Sequence, residues 1–144
     1  MATYTKYEKF IENLANKIID FFGSDDTYKA VIHTDAPVVA TDATVSDLTQ
    51  ISGANGYTTG GSSISFNSTR SGATITATAT DVTWTASGGN LGSSTTGRYV
   101  SVYDDTPTSP ADPLVCSWDY GSTFTVADTE TFTLDFGASF ATLA

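Results

Sequence analysis

Hydrophobic positions change period once along this chain, and the change divides it into two parts. Tyr4, Tyr7, Phe10, Ile11, Leu14, Ile18, Phe21 and Phe22 recur at steps of three and four, with Glu8, Glu12, Asn13, Asn16 and Lys17 between them. That is the pattern of an amphipathic helix. Thr5 with Glu8 three residues on fits a capping box, and Gly23 stands where a helix-ending left-handed residue belongs, so the spacing predicts a helix over residues 4–22.

From Thr27 the period becomes two. Tyr28 to His33 reads as a strand that stops before Asp35-Ala-Pro37. Residues 38–61 read as a long exposed connection, with a short helical turn near Val45 opened by Thr44 or Ser46, and a turn at Asn55-Gly56. Further strands follow at Ile64–Phe66, Ala73–Thr80, Val82–Ala86, Arg98–Asp104, Leu114–Trp118, Phe124–Val126 and Phe132–Phe136. Between them lie turns at Ser68–Gly72, Gly121 and Ala127–Glu130, and a loop from Asp105 to Pro113. Short strands at such intervals predict an antiparallel β-sandwich or barrel-like domain. The expected organisation is one domain over 1–144, with the helix at 4–22, the β body at 27–136 and a loosely packed tail at 137–144. The Ala73, Ala77 and Ala79 face lacks bulk, and large side chains pack best against small ones, so the helix is expected to lie across it.

Charge changes the picture by exclusion. Six Lys and Arg oppose sixteen Asp and Glu, for a net charge of −10. Residues 1–34 carry four lysines against five acids, whereas the rest of the chain has only Arg70 and Arg98 against eleven. Nucleic acid and anionic membrane surfaces both require clustered cations, so neither is an expected partner. No apolar run reaches the length of a membrane span or a signal-peptide core, which predicts a chain made and kept in solution.

Candidate chemistry is thin. His33 stands mid-strand, read as a surface or partly buried residue, and no Gly-x-Ser-x-Gly elbow presents a serine nucleophile. Cys116, the single cysteine, alternates in phase with Leu114 and Trp118 and reads as core. Asp104, Asp105, Asp112, Asp119 and Asp128 supply carboxylates without an evident cleft, and no calcium-loop spacing or phosphate loop occurs. No catalytic residue, cofactor site or metal site is expected. The stretch Asp81 to Gly89 reads as a core strand centred on Trp84 that packs against the 99–103 and 114–118 strands and releases a contact loop at Gly88-Gly89.

Several segments together carry a family resemblance. Asn55-Gly-Tyr-Thr-Thr-Gly-Gly61, Asp81-Val-Thr-Trp-Thr-Ala-Ser-Gly-Gly89, Arg98-Tyr-Val-Ser-Val-Tyr-Asp-Asp-Thr106, Asp112-Pro-Leu-Val115, Trp118-Asp-Tyr-Gly121 and Phe132-Thr-Leu-Asp-Phe136 are among them. With Tyr7–Phe10 at the start, this series resembles small virion structural proteins of tailed bacteriophages, of the capsid decoration or cement kind. The polar insert between Gly89 and Arg98 is longer than that pattern has. The resemblance implies a non-enzymatic protein on the capsid surface, made in the host cytoplasm. Its partners would be the major capsid protein and further copies of itself, in a homo-oligomer such as a trimer. The alternative is a tail or tail-fibre component that recognises a host glycan. The expected contact surfaces are the loops bearing Asn55, Gly56 and Tyr57, then Gly88, Gly89 and Asn90, then Asp104 and Asp105, with Tyr57 the candidate glycan platform.

Overall fold

The computed structural model describes residues 2–20, 25–93 and 96–143. It is mainly β, as the two-residue period requires, with ten strands and one short α-helix among the described residues. Five strands form one antiparallel sheet in the order β1 (Thr3–Lys6), β8 (Leu114–Phe124), β7 (Gly97–Asp104), β2 (Tyr28–His33) and β3 (Ser62–Ile64). Opposite it lie a three-stranded sheet, β10 (Ala141–Leu143), β5 (Thr74–Ala79) and β4 (Phe66–Ser71), and a ribbon of β6 (Val82–Thr85) with β9 (Thr131–Leu134). The main core fills the space between them, with Ile32, Val100, Val102, Val115 and Cys116 meeting Ala77, Val82, Trp84 and Leu134. This is the predicted sandwich-like domain.

The N-terminal segment departs from its helical period. Thr3–Lys6 is a strand paired with Cys116–Asp119, and the helix α1 occupies only Glu8–Ala15. Tyr7 becomes the N-cap because its N–H bonds Val115 O (3.2 Å), so pairing with a distant strand overrides the Thr5–Glu8 box, and no side chain caps the helix. The helix stops at a Schellman motif: Lys17 N–H bonds Leu14 O, Ile18 N–H bonds Asn13 O, and Lys17 takes φ 57°. Gly23, the expected stop, lies outside the described residues. Nor does α1 cross the alanine face. It packs on β8, while β5 sits between β4 and β10, and the N–H of Phe140 bonds Ala77 O.

Four other boundaries differ. Ser68–Ser71 continues β4, and the turn falls at Gly72-Ala73. Strand β8 runs through Gly121 as one eleven-residue strand. A register shift between Val102 and Tyr103 pairs them with Cys116 and Leu114 and leaves Val115 over, so Leu114 faces away from the core that holds Cys116. The tail is held rather than loose: Ala141–Leu143 pairs with β5, and Phe140 packs on the core.

Residues 38–61 also depart from expectation. Instead of an exposed connection, their first part covers the outer face of the large sheet, and Ile51 and Tyr57 enter the main core. Leu48, with Val39 and Val45, packs on Val31, Tyr103, Leu114 and Tyr7. Thr44 opens a single 3-10 turn, Val45–Asp47, and the Asp47 carboxylate accepts the N–H of Ala43 and of Thr44 at 2.9 Å each. Those bonds hold its carboxyl below the usual pKa. Strands β2 and β7 are therefore buried on both faces.

A left-handed non-glycine residue carries a steric cost of about 1 kcal/mol. Lys17→Gly should raise unfolding stability by roughly 0.5–1 kcal/mol in urea denaturation. A loss of stability would contradict the Schellman assignment.

Candidate functional site

Burial on both faces places polar side chains of β2 and β7 where each must find a partner. His33 and Ser101 are fully buried, and so is Tyr7. His33 Nδ1 lies 3.0 Å from the carbonyl oxygen of Asp35, which can only accept, so Nδ1 carries the proton in the neutral ring. Nε2 then accepts from the Ser101 hydroxyl at 2.9 Å, and Ser101 Oγ accepts from the Tyr7 hydroxyl at 2.9 Å. Tyr99 stacks on the imidazole with centroids 5.4 Å apart. Burial lowers the His33 pKa, opposed by the Asp35 carboxylate 3.5 Å from Nδ1.

Serine, histidine and aspartate thus stand in the order of a nucleophile, its base and an orienting group. Their surroundings give them another role. Ser101 lies mid-strand with paired strands on both sides, its oxygen already takes the Tyr7 hydroxyl, and both it and His33 are fully buried, so that of the three only the Asp35 side chain reaches the surface. The chain of bonds fastens the N-terminal segment to the back of the sheet. Sequence reading placed His33 near the surface and passed over Ser101 and Tyr7, because their pairing spans 68 and 94 residues.

The predicted contact residues fall into two groups. Asn55, Gly56, Gly88, Gly89 and Asn90 come together: Asn55 O accepts the Ser87 N–H (3.1 Å), and Asn55 Nδ2 donates to Asn90 O (3.0 Å). Gly56 has φ 96°, and a Cβ there would sit 2.0 Å from Thr85 O, so the glycine serves the chain's own packing. Tyr57 is only 3% exposed and bonds Ile32 N–H through its hydroxyl at 3.1 Å; Trp84 lies beside it, ring centroids 6.4 Å apart, and also against Phe132 at 6.0 Å. A buried ring cannot serve as the expected glycan platform.

Asp104 and Asp105 lie together beside the Gly60 end of the same loop, where Tyr103 donates to Gly60 O at 2.8 Å. Asp105 pairs with Lys29 at 2.7 Å. Asp104 is fully buried rather than presented to a partner, and one oxygen accepts the Thr106 N–H at 3.0 Å. Burial, and then the neighbouring Asp26 carboxyl, push its pKa up to about 7. Among the described residues no cluster of three or more histidine, cysteine or acidic side chains could hold a metal ion. Cys116 is fully buried, which raises its thiol pKa.

What the molecule does expose is an apolar groove of about 570 Å³ along one open side of the sandwich. Trp118, Phe136 and Phe140 line it with Phe10 and Leu14, and its rims are the edge strands β1 and β10. The large apolar side chains exposed among the described residues are Tyr4, Ile11, Val38, Tyr120 and Leu143. Tyr4, Ile11 and Leu143 all line this groove, and Tyr120 lines a smaller one of about 210 Å³ on the other side of Trp118. Sequence reading missed the site because it placed Tyr4 and Ile11 on a buried helix face and treated the tail as loose. No protein-family model, curated protein or solved structure matches this chain.

Ser101→Ala leaves the Tyr7 hydroxyl and His33 Nε2 without their shared partner, and should cost roughly 2–3 kcal/mol in urea unfolding. A cost below about 0.5 kcal/mol would show that the bond chain does not hold the fold. Asp104, with a folded pKa near 7 against an ordinary 3.8, keeps its proton more tightly when folded. Its stabilisation is complete at low pH and is lost as pH rises from about 4 to 7; His33, depressed in the fold, acts in the opposite sense below its ordinary value. Asp104→Asn should match the parent near pH 4 and exceed it by roughly 1–3 kcal/mol near pH 8, measured by pH-resolved denaturation. Equal stability at both pH values would contradict the assignment.

Proposed function

We propose that the protein is a non-enzymatic structural component of a tailed-bacteriophage virion, a capsid decoration or cement protein that binds and stabilises the lattice of the major capsid protein and associates with copies of itself. The observation that carries this reading is the separation of polar chemistry from accessible surface. His33, Ser101, Cys116 and Asp104 are fully buried, whereas four of the five exposed large apolar side chains among the described residues, Tyr4, Ile11, Leu143 and Tyr120, line the two grooves beside Trp118. Such a molecule acts by covering and being covered. The family resemblance of the 55–61, 81–89, 98–106 and 132–136 segments supplies the virion context. The net charge of −10 favours solubility before docking.

A tail or tail-fibre component that recognises a glycan is the second reading. On its side stands Tyr120, half-exposed beside Phe124 and Phe132, since an accessible aromatic face can carry a sugar ring.

Purified protein added to capsids that lack it should co-sediment with them and raise their melting temperature. Absence of both effects, with binding to glycan arrays or host cells instead, would replace the first reading by the second.

A further inference from the structure

The sandwich is closed on the β3 side, where the chain passes from Ile64 at the edge of the large sheet into β4 at the edge of the small one. It is open on the other. There β1 and β10, one edge strand from each sheet, flank a groove floored by Trp118, Phe136 and Phe140. All four residues of β1 are exposed, and its outer backbone edge pairs with no described strand. An unpaired strand edge beside exposed apolar surface is where a folded domain takes on another chain.

Charge selects that chain. The groove's lining holds two charged side chains, Lys6 and Asp135, and they cancel, on a molecule whose net charge is −10. A contact between two copies through this groove therefore brings no net like charge together. Neither Lys6 nor Asp135 forms an ion pair among the described residues, in contrast to Lys9, Lys29 and Arg98, which pair with Glu12, Asp105 and Asp119. A patch that carries one charge of each sign is complementary to itself: turned about a two-fold axis, Lys6 of each copy can face Asp135 of the other.

We propose that this groove is the self-association interface of the protein, joining two copies about a two-fold axis with β1 edges adjacent, Ile11 and Tyr4 buried between them, and Lys6 paired reciprocally with Asp135. The inference rests on the self-association included in the proposed function and gives it a place and a symmetry. A contact built on one groove of about 570 Å³ should dissociate on dilution, with Kd on the order of 1–100 µM.

Sedimentation equilibrium of the full chain over a concentration series tests this. The parent should sediment as a monomer–dimer mixture, and Ile11→Glu as a monomer with an unchanged circular dichroism spectrum. Lys6→Glu and Asp135→Lys should each weaken the dimer about tenfold or more, and the double variant Lys6→Glu/Asp135→Lys should restore it, since the reversed pair meets in the same geometry. A parent that stays monomeric at all concentrations, a trimer, or a double variant no tighter than the singles overturns the inference. Capsid co-sedimentation of the same proteins separates the two readings. A dimer that ignores capsids leaves the interface standing and removes the decoration role, while a monomer that binds capsids does the reverse. Loss of capsid binding in Ile11→Glu alongside a monomeric parent gives the groove to the capsid protein.

Discussion

The relay from Tyr7 through Ser101 to His33 is the interaction on which the remaining architecture depends. Three polar side chains lie at full burial, each satisfied by the next, and the relay ends on the Asp35 carbonyl. An unpaired buried polar group costs about 1–3 kcal/mol, so the set is stable as a whole and expensive in part. Its members come from the N-terminal arm, β7 and β2. Holding Tyr7 in place fixes where β1 must end and α1 begin, and it brings Tyr7 onto Leu48 and Leu114, which closes the outer layer. The short helix, the second core and the position of the open groove all follow from that anchor.

The anchor sets serine, histidine and the Asp35 carbonyl in hydrogen-bond order inside the core. The geometry of a nucleophile and its base is met, but the serine's oxygen is engaged by a tyrosine and its strand is paired on both sides. The same groups that would do chemistry in a cleft supply specificity in a core. Most of the large apolar side chains that stay exposed lie apart from these groups, along a groove whose two charges cancel.

Sequence was a good guide wherever a residue's neighbours are near it along the chain. Alternation located β2, β5, β6, β7 and β9 closely, Thr44 marked the 3-10 turn, and Asn55-Gly56 marked a true turn with both residues at positive φ. It failed where partners are remote. Thr3–Lys6 has helical spacing but pairs with Cys116–Asp119. The 38–61 segment looks polar enough for a loop, yet Leu48 is buried because a two-faced sheet needs a second cover, and Ile51 and Tyr57 are buried because they enter the main core beside Ile32 and Trp84. At Val115 the extra residue reverses which side Leu114 faces, a change that alternation cannot register. Of the expected contact residues, Asn55 and Asn90 do lie together at one loop cluster, whereas Tyr57 and Asp104 are enclosed. The groove was illegible because its rims, β1 and β10, are both set by long-range pairing.

The anchor can be observed directly through the tautomer and titration of the one imidazole. In ¹⁵N-resolved NMR of the full chain, His33 should appear as the neutral Nδ1–H tautomer and titrate below its ordinary value near 6.5. A ring that titrates freely near 6.5 in the folded protein, or one protonated at Nε2 when neutral, would contradict the account.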